Sequence, residues 1–300
     1  MDQPKLGIIG MGEAAFNIAR GLKKEGLAAI TAYDKFWNIE PHAALIGKRA
    51  AEAGVVMAKS LEEMIRASDV VMSLVSANLA IPLAKEAQPF LRKGQWYVDL
   101  NAASPMTEEE VAAVIEKSGA GFVDVAIMGP VPNYGHKVPI LACGSQAKEF
   151  AEMFNHYGMA ITDCGEKSGS ASAVKMFRSI FMKGFVMLLL ESVIAGHRYG
   201  VEDKVLDSIE ETLTEGSSIK TMINGILARG VIHSERREHE MDEVIATLES
   251  LEMDSIMSAA SKAKLRWCTN MHFREYFKGV PPSDLHQILT AFDQLNTKLT

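Results

Sequence analysis

Cysteine is scarce in this sequence, positive charge is not in excess, and long uninterrupted apolar runs are missing. The 300 residues include three cysteines, Cys143, Cys164 and Cys268, far apart and odd in number. That excludes a disulfide framework. No CxxC pair or Cys/His cluster points to a structural zinc site, so the cysteines read as small buried apolar side chains. Lys and Arg number 31 against 38 Asp and Glu, a net charge of −7, which argues against a general nucleic-acid partner. The charged stretch "HSERREH" at 233–239 mixes bases with acids, and its face (His233, Arg236, Arg237, His239, Glu240) reads as solvated, with a reach of His233 or Arg237 into the site as the alternative. The opening "MDQPKLGIIG" has no basic segment followed by a long apolar one, so no signal peptide is expected. The most apolar run, "FMKGFVMLLLES", is broken by Lys183 and Glu191 and reads as too short for a bilayer. These absences predict a cytoplasmic protein with neither membrane nor nucleic acid among its partners.

Apolar residues, by contrast, make up 48% of the chain, enough to bury a sizeable core in one large domain or two. Short β-rich runs at 5–9, 29–33, 54–58, 69–74, 95–100, 121–127, 138–143 and 160–164 alternate with helical stretches at 13–25, 60–66, 78–91, 106–118 and 146–157. That alternation predicts an α/β fold, a Rossmann-type, parallel, doubly wound sheet. Beyond about residue 166 the strands cease. Helix-period segments take over, punctuated at Gly196, Gly200, Gly216, Gly230 and "GVPPSD" at 279–284. The expected division is a nucleotide-binding domain over 1–166 and an all-helical domain over 167–300.

The first strand leads into Gly10-Met11-Gly12-Glu13-Ala14-Ala15 and then an amphipathic helix. This is the G-x-G-x-x-G/A fingerprint in its strand–turn–helix setting. The first glycine allows the tight turn and the second lets a pyrophosphate approach the backbone. The small third residue lets helix and strand pack, and the N–H groups of the helix start face the phosphates. The second strand ends at Asp34, about 20 residues on, where an acid binds the ribose diol and repels a 2′-phosphate. NAD is therefore favoured, while Lys35 and Lys48 keep NADP possible. The fourth strand ends in Leu74 and Val75, placed near the nicotinamide half of the crevice, and Ser76, a further candidate cofactor contact, begins the next helix with Asn78. The fifth ends in "DLNAASP", where Asn101 is a candidate substrate or ribose contact and Ser104, before Pro105, reads equally as a helix N-cap.

The fingerprint, "DLNAASP", "DVAIMGPVP" (124–132) and "GSASAVK" (169–175) stand in one order along the chain. Together they resemble the β-hydroxyacid dehydrogenase / 6-phosphogluconate dehydrogenase superfamily, and the C-terminal text resembles a poorly characterised phosphogluconate-dehydrogenase-like branch of it. The resemblance implies a substrate-binding block at 124–129, with Met128 where the family has serine, followed by Gly129. It also implies that Lys175 is the catalytic acid/base, that Ser179 stands where the family has a substrate-binding asparagine, and that the protein is a homodimer with interlocked helical domains. A methionine in place of a hydroxyl makes that wall apolar and adaptable, which suggests a bulkier or less polar substrate.

Over a helix from about Ser172 to His197, at about 100° per residue, Ser172, Arg178, Ser179 and Lys183 fall within about 80° of Lys175. Phe177, Phe181, Met187 and Leu188 lie on the other, core-like arc. Lys175, in a cleft between domains and near Arg178, is expected to titrate below the ordinary lysine range. It would exchange a proton with a carbinol oxygen while hydride moves to or from nicotinamide. Arg178 reads as an anchor for a substrate acid group or as part of an ion pair. The resulting expectation is an NAD(P)-dependent dehydrogenase acting on a small-molecule alcohol or carbonyl, most simply a hydroxy acid. Imine reduction and non-catalytic nucleotide sensing remain as alternatives. Decarboxylation of 6-phosphogluconate fits less well, because the chain is short and its substrate blocks differ.

Overall fold

The computed structural model describes residues 3–214 and 219–296. Gly216 lies outside them. The chain divides into two compact units, Met1–Ile180 and Phe181–Thr300, and the division falls within one long helix.

The first unit is built on an eight-stranded sheet of order β3-β2-β1-β4-β5-β6-β7-β8. The strands are β1 (Leu6–Ile9), β2 (Ile30–Tyr33), β3 (Val56–Met57), β4 (Val70–Ser73), β5 (Trp96–Asp99), β6 (Gly121–Ile127), β7 (Pro139–Cys143) and β8 (Ala160–Asp163). Helices α1 (Glu13–Lys24), α2 (His42–Ala53), α3 (Leu61–Arg66), α4 (Ala80–Ala87), α5 (Pro105–Ile115), α6 (Val131–Tyr134) and α7 (Ala147–Asn155) connect them. Successive strand residues point to opposite faces, and both faces are covered. Leu6, Ile8, Val70, Met72 and Val98 join one core with α1, α2 and α7. Ile9, Val71, Tyr97 and Phe122 join another with α3, α4 and α5. This is why β1 and β4 read as unbroken apolar runs instead of alternating ones.

Two sequence expectations need correction here. The sheet is not wholly parallel: β7 runs antiparallel to β6 and β8 follows β7 in parallel. The link between β6 and β7 holds only the single turn α6 and a short 3₁₀ segment. A parallel return needs a crossover of about a dozen residues or more. Second, α2 forms where the periodicity singles out no helix, because only Ile46, Ala50 and Ala53 are buried along it.

The long helix α8 (Ser170–Tyr199) starts in the first unit. By length and composition it is the one helix among the described residues able to cross a bilayer, which corrects the expectation that its apolar run is too short. Helices of non-membrane proteins meet the same two conditions. The arc expected to be core is exposed in this chain, with Phe177 at 66% and Phe181 at 60% accessible. A helix this long presents more apolar surface than its own chain covers.

The second unit continues with α9 (Glu202–Thr214), α10 (Ile219–Ile232), α11 (Ser234–Ser250), α12 (Ile256–Asn270), α13 (Phe273–Tyr276) and α14 (Leu285–Asn296). Ala228, Val231, Ile232, Met271, Phe273, Ile288 and Ala291 form its core. Pairing of Ser234 with Thr269, Glu238 with Arg266 and Asp242 with Lys262 sets α11 antiparallel to α12. The Glu191 carboxylate of α8 accepts from Met257 N and Ser258 N, both at 3.0 Å, and so caps α12, whose own N-cap side chain makes no capping bond. In the charged stretch at 233–240, Arg236 pairs with Glu240 on the exposed face, His239 is exposed, and His233 and Arg237 are half-buried. Of the cysteines, Cys143 is buried, but Cys164 is exposed, contrary to the expectation. It follows β8, the edge strand, most of which is itself exposed.

Candidate active site

The sheet order reverses between β1 and β4, the position where open α/β sheets form a ligand crevice beyond their strand ends. A cavity of about 550 Å³ lies there, lined by Gly10, Gly12, Asp34, Lys35, Leu74, Val75 and Ser76. Tyr33, Phe36, Leu79, Pro82, Leu83 and Glu86 complete it with Ile9. This second group was not singled out in the sequence, although Leu79 to Glu86 follow directly from the β4 exit at Ser76.

The two glycines are constrained differently. Gly10 has φ +89, and a Cβ there would lie 2.5 Å from the Leu74 carbonyl oxygen, so the protein itself requires glycine. Gly12 has φ −68, and a Cβ there would meet nothing within 4 Å. Its missing side chain leaves open space at the start of α1, where no side chain caps the helix and the first-turn N–H groups of Glu13, Ala14 and Ala15 are available to an anion. Met11, expected at the cofactor, is fully buried and does not line the crevice; its N–H is taken by Asp34. Asp34 holds the turn in place: one carboxylate oxygen accepts from Met11 N and the other from Phe36 N, both at 2.9 Å. Each oxygen keeps a further lone pair for a diol. Lys35 is exposed, with its Nζ 4.8 Å from the centroid of the Phe36 ring.

The candidate chemistry gathers in a second group within the same unit. At Gly169, φ +87 and a Cβ position 2.8 Å from the Pro105 carbonyl oxygen both demand glycine, and the helix beginning there runs to Lys175. Asp124, at 0% exposure on β6, anchors that helix. Its carboxylate accepts from Ser172 Oγ at 2.8 Å, Ser172 N at 3.2 Å and Cys143 Sγ at 3.1 Å. The anchor sits one turn before Lys175 and fixes its direction. Lys175 is half-buried, and that burial lowers its pKa from the ordinary 10.5, against the opposing attraction of Asp124 and Glu108. Arg178, expected to contribute to this shift, is not among its causes. It is exposed and forms no ion pair among the described residues.

Asn101 joins the two groups. It accepts from Val75 N at 2.6 Å, donates its amide to Ser73 Oγ at 3.0 Å, and donates its backbone N–H to Asp99 at 2.7 Å. With both ends of the side chain engaged, it frames the crevice from a buried position. Met128 is half-buried against Ala126, Cys143 and Ala171, and its N–H bonds the Pro139 carbonyl at 2.8 Å. At Gly129 a Cβ would come within 3.3 Å of Val138, and Ser179 is half-buried. Ser104 is the N-cap of α5, accepting from Thr107 N at 3.2 Å.

Two acids beside this group were missed in the sequence. Burial raises Asp99 to about 7, and burial together with Asp99 and Asp124 raises Glu108 to about 10. Cys143 is pushed to about 12 by burial and Asp124. Glu108 did carry a signal, because it shares a helix face with the buried Val111, Ala112 and Ile115.

A glycine turn at a helix start, an acid closing the second strand and a crevice at the sheet's reversal define an NAD(P)-binding Rossmann protein. Residues 5–165 match the model of the NAD binding domain of 6-phosphogluconate dehydrogenase, and residues 196–268 match a domain of unknown function, DUF1932. The chain belongs to the 6-phosphogluconate dehydrogenase-like family of NAD(P)-binding proteins. A solved conserved hypothetical protein from Sinorhizobium meliloti 1021 is 36% identical, with a TM-score of 0.64 over 88% of each chain. Mitochondrial 3-hydroxyisobutyrate dehydrogenase from Mus musculus is 26% identical over 211 residues, 68% of this chain but only 60% of that protein. An imine reductase from Myxococcus stipitatus, solved with NADP+ and, as a variant, with NAD+, shares the fold: 20% identity and a TM-score of 0.70 over 96% of this chain and 99% of that one for the NADP+ complex.

Proposed function

We propose that the protein is an NAD(P)-dependent oxidoreductase acting on the alcohol or carbonyl group of a small hydroxy acid, with Lys175 as general acid and base. The observation that carries this reading is a desolvated lysine, one helical turn past an Asp124–Ser172 anchor, in the domain that binds the nucleotide. The Gly12 turn and the start of α1 would hold the pyrophosphate, Asp34 the adenosine ribose, and Leu74 and Val75 the nicotinamide side. The bound nicotinamide supplies or accepts the hydride. Lys175 donates a proton to the carbonyl oxygen during reduction and takes it from the hydroxyl during oxidation. A pKa below 10.5 makes both forms of the lysine accessible. Met128 adds an apolar wall that suits substituted acids over short ones.

Imine reduction is supported by likeness of fold alone, whereas a lysine suits proton exchange with oxygen. A panel of hydroxy acids, ketones and imines, followed by NADH or NADPH absorbance, tests the reading. Carbonyl turnover is expected, faster with NADH because Asp34 opposes a 2′-phosphate. Oxidation is expected to rise, and reduction to fall, as pH passes upward through the Lys175 pKa. Turnover of imines alone would refute the assignment.

We further infer that the exposed apolar face of α8 is covered by a second copy of this chain. Sedimentation is expected to report a dimer. Ile180→Glu, at a position 73% exposed in the single chain, should shift it toward monomer; a wild-type monomer at micromolar concentration excludes the inference.

A further inference from the structure

Glu108 is an unusual residue for a helix face. It lies in the first turn of α5 at 0% exposure, and neither carboxyl oxygen has a hydrogen-bond partner among the described residues. It forms no ion pair among them. The helix that carries it meets the start of α8 directly: a Cβ on Gly169 would lie 2.8 Å from the Pro105 carbonyl oxygen and 3.4 Å from Glu109 Cγ. The first turns of the two helices therefore abut, and Glu108 and Lys175 lie within electrostatic reach of each other. Tyr97 and Asp99 face Glu108 from β5 and Asp124 from β6, with Cys143 of β7 behind Asp124. On the α4 side, Lys85 is taken up at the surface by Glu110, at 3.4 Å.

We propose that Glu108 is a positioning residue for Lys175, a carboxyl held in its neutral, protonated form by burial without donors, so that the lysine is not locked in its charged form by a second anion beside Asp124. The proposal rests on Lys175 being the proton-transfer group. An ionised carboxylate buried without a donor or cation is strongly disfavoured, whereas the protonated acid is tolerated. A full negative charge on Glu108 beside that of Asp124 would hold the proton on the lysine. With Glu108 neutral, burial prevails and the lysine can release it. The raised pKa of Glu108, about 10, agrees with this. Coupling is reciprocal, so when Glu108 ionises in alkali it must tighten the hold of Lys175 on its proton. The wild-type lysine then titrates in two steps, the upper one belonging to the pair.

Competitive labelling with acetic anhydride, read by mass spectrometry of the Lys175 peptide from about pH 6 to about pH 11, measures this without substrate. Glu108→Gln is expected to match wild type below about pH 8 and to reach full reactivity in one step. Wild type should lag it by about three- to tenfold near pH 10, the effect of one nearby charge. Superimposable curves would overturn the proposal. So would a Glu108→Gln curve already displaced at neutral pH, since Glu108 would then be ionised. Infrared spectra of the unaltered protein give a second readout. A protonated-carboxyl band should persist at about pH 8, above Asp99, and vanish in alkali; its absence at pH 8 also overturns the proposal. The expected titration in a protein with no turnover would sink the proposed reaction alone. Normal turnover with superimposable curves would sink this inference alone.

Discussion

Lys175→Met is expected to lower NAD(P)-dependent turnover by about 100- to 10,000-fold, the range for losing a positioned acid or base, and to leave cofactor affinity unchanged. Methionine keeps the unbranched stem and the helix propensity. The Asp124 bonds to Ser172 N and Ser172 Oγ do not involve the lysine, so the helix start stays anchored. The 550 Å³ crevice is lined by residues of the β1, β2 and β4 exits and of α4, and Lys175 is not among them. What disappears is the group able to exchange a proton with the substrate oxygen. Stopped-flow hydride transfer together with calorimetric titration of NADH separates the two effects. If turnover is undiminished, Lys175 is not the acid/base. If turnover and NADH affinity are lost together, the substitution has damaged the Rossmann domain and the test passes to Lys175→Arg, which keeps the charge but, with a pKa above about 12, cannot cycle its proton.

The cofactor half of the site was legible because its constraints are local. The turn from Gly10 to Ala15 follows a strand and opens a helix, and Asp34 ends the next strand, so spacing alone places them. Lys175 was legible only through the Gly/Ser/Ala block before it and the family resemblance that block carries, since half-burial of a helical lysine has no sequence mark. The acids behind it were harder to find. Asp124 was visible in a motif, but its capping of α8 depends on a residue 48 positions away. Glu108 sits in "TEEEV", where three glutamates run together and only the phase of the buried Val111, Ala112 and Ile115 tells which one turns inward. The antiparallel β7 escaped notice because strand propensity carries no direction. The direction follows from the shortness of the link after β6.

The two fingerprint glycines should respond in opposite ways to substitution, and the contrast tests whether the crevice holds a dinucleotide. Gly10→Ala forces an L residue to φ +89 and drives a Cβ to 2.5 Å from backbone at Leu74. Backbone strain of about 1–3 kcal/mol and overpacking of about the same size together predict a loss of about 2–6 kcal/mol of stability. Gly12→Asp has neither problem: φ is −68, the extended backbone suits any residue, and no atom lies within 4 Å of the new Cβ. Aspartate is moreover a favourable N-cap for α1, so the melting temperature should hold or rise slightly. The same carboxylate would fill the space left for a pyrophosphate and compete for the first-turn N–H groups. Losing two charge-assisted hydrogen bonds, at about 1.5–3 kcal/mol each, weakens NADH binding by at least about 100-fold, and repulsion between like charges adds to the loss. Thermal melts and calorimetric NADH titration of the two variants check both halves. A Gly12→Asp protein that folds and binds NADH normally would show that the dinucleotide does not lie on this turn, whatever the strand order suggests.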